Sequence, residues 1–251
     1  MPIVHVNNID MYYEIHGDGE PLVFIPGWGT EITTIKEQID GLARENRVIA
    51  IDNRGVGRST KPDTPWSIED MADDTVGILD ALGIRRAHIL GLSMGSMIAQ
   101  MIAAKYPDRV NRLVLHVGFT RIPFMVKTMM NLMQYLPGSK KKMEEGMALI
   151  FGQNYPPTPE SFRRQGEAVA SFDSRKYLGR IKAPTLIVNG SKDQFVPLKI
   201  TRELAEGIAG AKLVLVDGDH IFSRTRPELL QIPVLEFLAE VDARNSACGI
   251  K

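Results

Sequence analysis

Eight short runs of apolar, largely β-branched residues, each bounded by turn formers, alternate with longer stretches of helical spacing, and this alternation restricts the chain to an α/β fold. The runs are Ile3 to Val6, Met11 to Ile15, Leu22 to Ile25, Val48 to Ile51, Ala87 to Leu90, Leu113 to Val117, Thr185 to Val188 and Leu213 to Val216. The first two are separated by Asn7-Asn8 and alternate in polarity, which predicts an antiparallel pair with one wet face. The other six are more continuously apolar, as strands covered by helices on both faces require. The expected architecture is an eight-stranded, mostly parallel sheet with helices on both faces.

Helix ends are readable between these runs. Ser67 before Ile68, with Asp70 in the first turn, predicts a capped start, and Gly83 a stop. Pro227 predicts the first turn of a helix carrying Leu229, Leu230, Val234, Leu235 and Leu238, which Pro233 should bend or shorten. From about Phe119 to Arg180 the alternation lapses and only helical candidates remain, which predicts a helical insertion over 119–180 within a core formed by 1–118 and 181–251. Six of the twelve methionines fall in the insertion. Met125, Met129, Met130 and Met133 recur at i, i+4, i+5 and i+8, one apolar helix face. That face either packs on the main domain or lines a pocket, and Met125, Met129 and Met133 are the candidate substrate-binding residues. Lys140-Lys141-Lys142 reads as a solvated helix start.

Composition narrows the partners. Lys+Arg and Asp+Glu are both 30, so the formal charge is zero, and the electrostatic footprint of a nucleic-acid binder is missing. The one cysteine, Cys248, permits neither an internal disulfide nor a cysteine metal site. The start Met1-Pro2-Ile3-Val4-His5-Val6-Asn7-Asn8 lacks the basic, then apolar pattern of a secretion signal, and no apolar run approaches the ~18 residues of a membrane span. A cytoplasmic protein with no membrane or nucleic-acid partner is expected. No phosphate-cradling Gly-x-x-x-x-Gly-Lys pattern and no metal constellation occurs, so neither cofactor nor metal is expected.

The chemistry concentrates after the strands. Gly91-Leu92-Ser93-Met94-Gly95 follows Ala87 to Leu90 directly and opens the apolar stretch Met97, Ile98, Met101 and Ile102. So sharp a strand-to-helix turn pushes the Ser93 hydroxyl out at the carboxyl edge of the sheet. A serine nucleophile needs a base, and among five histidines His220 stands apart, because it follows the last strand in Asp217-Gly218-Asp219-His220. His5 and His16 lie in the N-terminal strands and read as surface or pairing residues, while His88 and His116 read as core. Asp193, after Thr185 to Val188, is the expected orienting acid, with Asp217 and Asp219 as weaker competitors. Tetrahedral intermediates also need an oxyanion hole, and Pro26-Gly27-Trp28-Gly29 after Leu22 to Ile25 would supply the Trp28 N–H, with Met94 N–H as the second donor.

With these residues in order, the whole chain resembles the α/β-hydrolase superfamily, in its branch of small esterases and 3-oxoadipate enol-lactonases. Asp52-Asn53-Arg54-Gly55-Val56-Gly57-Arg58-Ser59 is a loop those families carry after this strand, and its expected role is structural. The resemblance implies a lid in the insertion and cofactor-independent hydrolysis of a carboxylic ester or lactone by Ser93, His220 and Asp193. A ligand receptor of slow or single turnover, or perhydrolysis, C–C cleavage or lyase chemistry with the same triad, are the alternatives. One departure stands out: those families commonly carry His before the oxyanion-loop glycine, and this chain has Pro26. An apolar lid face predicts neutral substrates, unless Arg121, Arg163 or Arg164 turns inward to hold a carboxylate.

Overall fold

The computed structural model describes residues 2–123, 127–128 and 154–240. Its sheet has eight strands in the order β1-β2-β4-β3-β5-β6-β7-β8. They are β1 (Ile3–Val6), β2 (Ile9–His16), β3 (Glu20–Ile25), β4 (Asn46–Ile51), β5 (Ala87–Leu92), β6 (Val110–His116), β7 (Thr185–Gly190) and β8 (Lys212–Val216). β1 and β2 are antiparallel, β2 runs antiparallel to β4, and every later pairing is parallel. Asn7 and Asn8 close the hairpin at φ 47° and 65°, the left-handed pair that a two-residue turn demands and that asparagine tolerates.

Helices cover both faces. Along β3, Leu22 and Phe24 face one way and Val23 and Ile25 the other, and all four are buried. On the Leu22 side the core is completed by Ile39 and Leu42 of α1 (Lys36–Leu42) and by Leu230, Val234 and Phe237 of a C-terminal helix, Glu228–Ala239. On the Val23 side it is completed by α2 (Ile68–Ala81) and α3 (Met94–Lys105), through Met71, Ile78, Met97, Ile98 and Ile102. α2 begins on a full capping box, in which the Ser67 hydroxyl accepts from Asp70 N and the Asp70 carboxylate accepts from Ser67 N, and Gly83 follows its end at φ +66°. α4 (Pro159–Ser171) starts on a Thr158 cap and lies in sequence between β6 and β7. Further α-helices are α5 (Leu198–Gly207), the short α6 (Phe222–Thr225) and α7, the Glu228–Ala239 helix.

Two expectations need correction. β8 is not covered on both faces: as the last strand of the sheet it is half exposed, with Leu215 in solvent, because an edge strand lacks neighbours on one side. Of the two effects expected of Pro233, shortening does not occur, and α7 continues through it to Ala239. Leu230, Val234 and Phe237, at i, i+4 and i+7, are buried against α1 and the sheet, and their burial at ~1.5–3 kcal/mol each outweighs the ~3 kcal/mol that an interior proline costs.

The strand order places the site. From β3 the chain runs outward to β4, then crosses back over β3 to β5, so the direction of winding reverses between β3 and β5. Open α/β sheets bind ligands at the carboxyl ends of the strands flanking such a reversal. Those ends here are the Pro26 loop and Ser93.

Candidate active site

Ser93 sits at φ 54°, ψ −113° between β5 and α3, a backbone conformation that a side-chain-bearing residue adopts only under constraint. Two glycines impose it. A Cβ on Gly91 would lie 2.1 Å from the Gly95 carbonyl oxygen, and one on Gly95 would lie 2.1 Å from the Ile25 carbonyl oxygen, so α3 starts in contact with the end of β3. Ser93 N–H donates to the His116 carbonyl at 2.9 Å, tying the turn to β6.

His220 and Asp193 arrive from the ends of β8 and β7. The distance between Ser93 Oγ and His220 Nε2 is 3.0 Å, and between His220 Nδ1 and Asp193 Oδ2 2.8 Å. The other carboxylate oxygen, Asp193 Oδ1, accepts from Phe195 N at 2.8 Å and Val196 N at 2.9 Å. Asp193 is therefore fixed by its own loop as well as by the imidazole, and its side chain is only 1% exposed against 19% for His220. Neither competitor reaches the ring: Asp217 pairs with Lys192 at 2.6 Å, and Asp219 accepts from Ile221 N at 3.0 Å. The Phe195 ring lies against His220, centroids 5.4 Å apart. This arrangement can abstract a proton from Ser93 Oγ and hold the resulting imidazolium beside a carboxylate.

The other histidines fall where sequence places them. His5 pairs with Asp10 on the surface, and His16 with Glu14 where both are half-buried. His88 and His116 are buried, and burial pushes the His116 pKa down to about 3, so its ring is neutral. His116 Nε2 is 2.8 Å from the Ser223 hydroxyl, and the Ser223 carbonyl accepts from Gln38 Nε2 at 2.8 Å. A core histidine thus anchors the chain three residues past His220.

On the opposite side of Ser93, Gly27 approaches the elbow so closely that a Cβ there would lie 3.4 Å from Ser93 Cβ. Gly27 to Thr30 is a turn closed by Thr30 N–H donating to Gly27 O at 3.2 Å, with Gly29 at φ +68°. The Trp28 ring stacks on Phe162 of α4 at 4.6 Å, and its Nε1 donates to the Phe162 carbonyl at 2.8 Å. Gly166 makes room for that ring, since a Cβ there would come within 2.5 Å of it. The site of the missing histidine, Pro26, is held through its carbonyl instead, which accepts from Asn53 Nδ2 at 3.1 Å.

That bond gives the Asp52–Ser59 loop its work. Asp52 is buried and caps two backbone amides, Ile32 N and Arg58 N, each at 2.9 Å. Burial and the neighbouring Glu31 push its pKa up to about 6 although both amides and Arg58 pull it down. Arg54 grips Asp74 with two hydrogen bonds of 2.5 and 2.6 Å. The loop is structural, as expected, and it also braces the Pro26 turn.

Met125, Met129 and Met133, like Phe124, Lys140 to Lys142 and Cys248, lie outside the described residues. The three arginines that could receive a carboxylate are otherwise engaged: Arg121 with Glu203, Arg163 with Glu167, and Arg164 with the Pro62 and Thr64 carbonyls. Among the described residues no three His, Cys, Asp or Glu side chains converge as a metal ligand set, and no helix is long and apolar enough to cross a membrane.

The chain belongs to the α/β-hydrolase fold family, whose profile matches residues 20–145, and the protein is a hydrolase. A second profile, described as serine hydrolase, matches residues 85–232, the stretch that holds Ser93, Asp193 and His220. Among individual proteins, it is 32% identical over 266 residues to the RutD protein of Azorhizobium caulinodans, which is named as a carbamate hydrolase, covering 96% of this chain and 100% of that one. Of solved structures, the enol-lactonase from Burkholderia xenovorans LB400 is 28% identical with a TM-score of 0.82, over 95% of this chain and 100% of that one. Est816, titled an N-acyl homoserine lactone degrading enzyme, is 30% identical with a TM-score of 0.79, over 94% and 100% of the two chains.

Three residues have parts here that the sequence does not announce. Asn53 is marked only as a member of the Asp52–Ser59 loop and His116 only as core, and neither shows what it braces. Gln165 does leave a trace: Phe162, Gln165, Gly166 and Val169 repeat at i, i+3, i+4 and i+7, and a glutamine in an inward stripe needs a polar partner there.

Proposed function

We propose that the protein is a serine hydrolase that cleaves neutral carboxylic esters or lactones through an acyl-enzyme. The observation that carries this reading is the hydrogen-bonded relay from Ser93 Oγ through His220 to an Asp193 whose second oxygen is already satisfied by two backbone amides. Ser93 attacks the carbonyl carbon while His220 Nε2 takes its proton. The N–H groups of Trp28 and Met94 receive the developing oxyanion, and His220 returns the proton to the departing alkoxide. Water, deprotonated by the same imidazole, then releases the acid and restores Ser93. Asp193 holds the ring in the tautomer that leaves Nε2 free to accept.

The segment 119–180 is the lid in this reading. What supports it is that α4 rests on the Trp28 loop, and the apolar surface for the acyl group is assigned, from the sequence pattern, to Met125, Met129 and Met133. Preference for uncharged substrates rests on Arg121, Arg163 and Arg164 already having partners, since an unpaired carboxylate buried under such a lid is costly.

Turnover is measured over a panel of neutral butyrate esters, lactones and carbamates, with Ser93→Ala alongside. Multiple turnovers by the wild type and a fall of about 10⁴-fold or more in the variant are expected. Near-wild-type turnover by Ser93→Ala overturns the nucleophile, and release stopping at one equivalent overturns the enzyme in favour of a receptor. A tenfold preference for a carboxylate-bearing ester over its neutral counterpart overturns the substrate class.

A further inference from the structure

At position 26 the Trp28 loop of this chain has no side chain that could brace it. Pro26 has neither an N–H nor a polar side chain, so the Trp28 N–H is aimed by other residues, of the loop itself and beyond it. Two consecutive peptide planes decide that aim. The Gly27–Trp28 plane is held at its oxygen by Thr30 N–H at 3.2 Å, and because C=O and N–H point oppositely across a planar trans peptide, fixing one end directs the other. The Trp28–Gly29 plane is held at both ends: Thr30 Oγ1 donates to Trp28 O at 3.4 Å, and Gly29 N–H donates to Gln165 Oε1 at 2.8 Å.

Gln165 belongs to α4, 136 residues further along the chain. Its side chain is wholly buried, and its other end, Nε2, donates to the Arg54 carbonyl at 2.9 Å. Arg54 is in turn locked by its double bond to Asp74. One amide thus bridges the oxyanion loop to Arg54 of the Asp52–Ser59 loop, and both of its ends are spent on backbone. A buried glutamine with a donor and an acceptor satisfied by main chain defines a geometry, because losing it takes a buried hydrogen bond from each of two backbone groups.

We propose that Gln165 is a positioning residue for the oxyanion hole, standing in for the brace that Pro26 cannot provide, so that catalytic competence depends on α4 being seated on the Trp28 loop. The inference rests on the serine-hydrolase reading. It does not touch the substrate: Gln165 acts through Gly29 and the adjoining Trp28 peptide, and its influence falls on the oxyanion rather than on ground-state binding.

The test uses the full chain with Gln165→Met, which keeps length and removes both hydrogen bonds, and Gln165→Glu, which keeps an oxygen facing Gly29. For each, kcat and KM on a neutral ester, the inhibition constant of a trifluoromethyl ketone that forms an oxyanion adduct on Ser93, and Tm are measured. Gln165→Met is expected to lower kcat at least about tenfold, with KM within about twofold, and to weaken the trifluoromethyl ketone in proportion to kcat/KM. Gln165→Glu is expected to fall between Gln165→Met and wild type. Folded Gln165→Met with kcat within about twofold of wild type overturns the proposal. So does a loss confined to KM or Tm with unchanged affinity for the ketone. If Gln165→Met fails to fold, an unchanged kcat and ketone affinity in Gln165→Glu overturns it instead. An active Ser93→Ala would remove the underlying reading; an inactive Ser93→Ala with fully active Gln165 variants removes only this proposal.

Discussion

The two flanks of Ser93 are built differently. His220 and Asp193 leave the ends of the neighbouring strands β8 and β7, and each is fixed by groups within its own loop or by core residues: Phe195 N and Val196 N for the acid, and His116 through Ser223 for the chain beyond the base. The Trp28 loop leaves β3, and its partners lie far off in sequence, in Asn53, Phe162 and Gln165. In the proposed reading the proton-transfer flank is thus tied to the sheet, whereas the Trp28 side of the oxyanion hole is braced in part by α4. The first should keep its geometry in any state where the sheet is intact, and the second only while α4 is docked.

The sharpest way to break this contrast is on the sheet side. Asp193→Asn keeps the size of the acid but supplies an NH₂ where Nδ1–H needs an acceptor, and kcat should fall by about 10⁴-fold with little change in KM. Steady-state kinetics decide it. Full activity would hand the role to Asp217 or Asp219 and dissolve the distinction between the flanks.

The next effect belongs to the oxyanion side. Asp74→Ala strands the Arg54 guanidinium, 11% exposed, with its counter-charge gone, and urea unfolding should show a loss of about 3–5 kcal/mol. The residual folded protein should lose activity with it, because Arg54 carries the carbonyl that holds Gln165. Urea midpoints within a few tenths of a molar of the wild type would mean that the pair braces nothing.

The smallest effect is a pH dependence. His116 is held well below its unfolded value, at about 3, so the folded state binds fewer protons than the unfolded one between those values. Its share of stability is whole above ~6.5 and shrinks as pH falls, by about 2 kcal/mol from pH 6.5 to 5. Asp52, raised to about 6, acts in the opposite sense over about pH 4 to 6, because its folded form takes up the proton first. His116→Gln removes the first slope and leaves the second, so between pH 6.5 and 5 the variant should lose less stability than the wild type. Parallel pH curves for the two proteins would exclude His116 as the acid-sensitive anchor behind His220.

What was legible in the sequence follows the same division. Elements announced by local chemistry were readable: the Asn7-Asn8 hairpin, the Ser67 cap and the Gly91 to Gly95 turn each depend on residues within a few positions. Asp193 and His220 follow the ends of β7 and β8, positions that the apolar runs index in the sequence. Gln165 was not readable, since its meaning depends on a docking partner 136 residues away. Pro233 speaks locally against an unbroken helix, while the burial of Leu230, Val234 and Phe237 that carries α7 through it is a tertiary fact. Exposure of β8 could not be inferred either, because an apolar run does not record whether its strand ends up at an edge.

The positive φ at Ser93 also acts as a filter on mutation. At φ 54°, ψ −113° any residue with a side chain is strained; a cysteine of nearly the same shape as serine adds no further crowding, but a β-branched residue crowds its own backbone there. Ser93→Cys should therefore fold with the turn intact and exchange a hydroxyl nucleophile for a thiolate, while Ser93→Thr, chemically the nearer neighbour, should disturb the junction of β5 and α3. For a lineage or a designer starting from this chain, the accessible nucleophiles are ranked by backbone shape before their reactivity is ever tried.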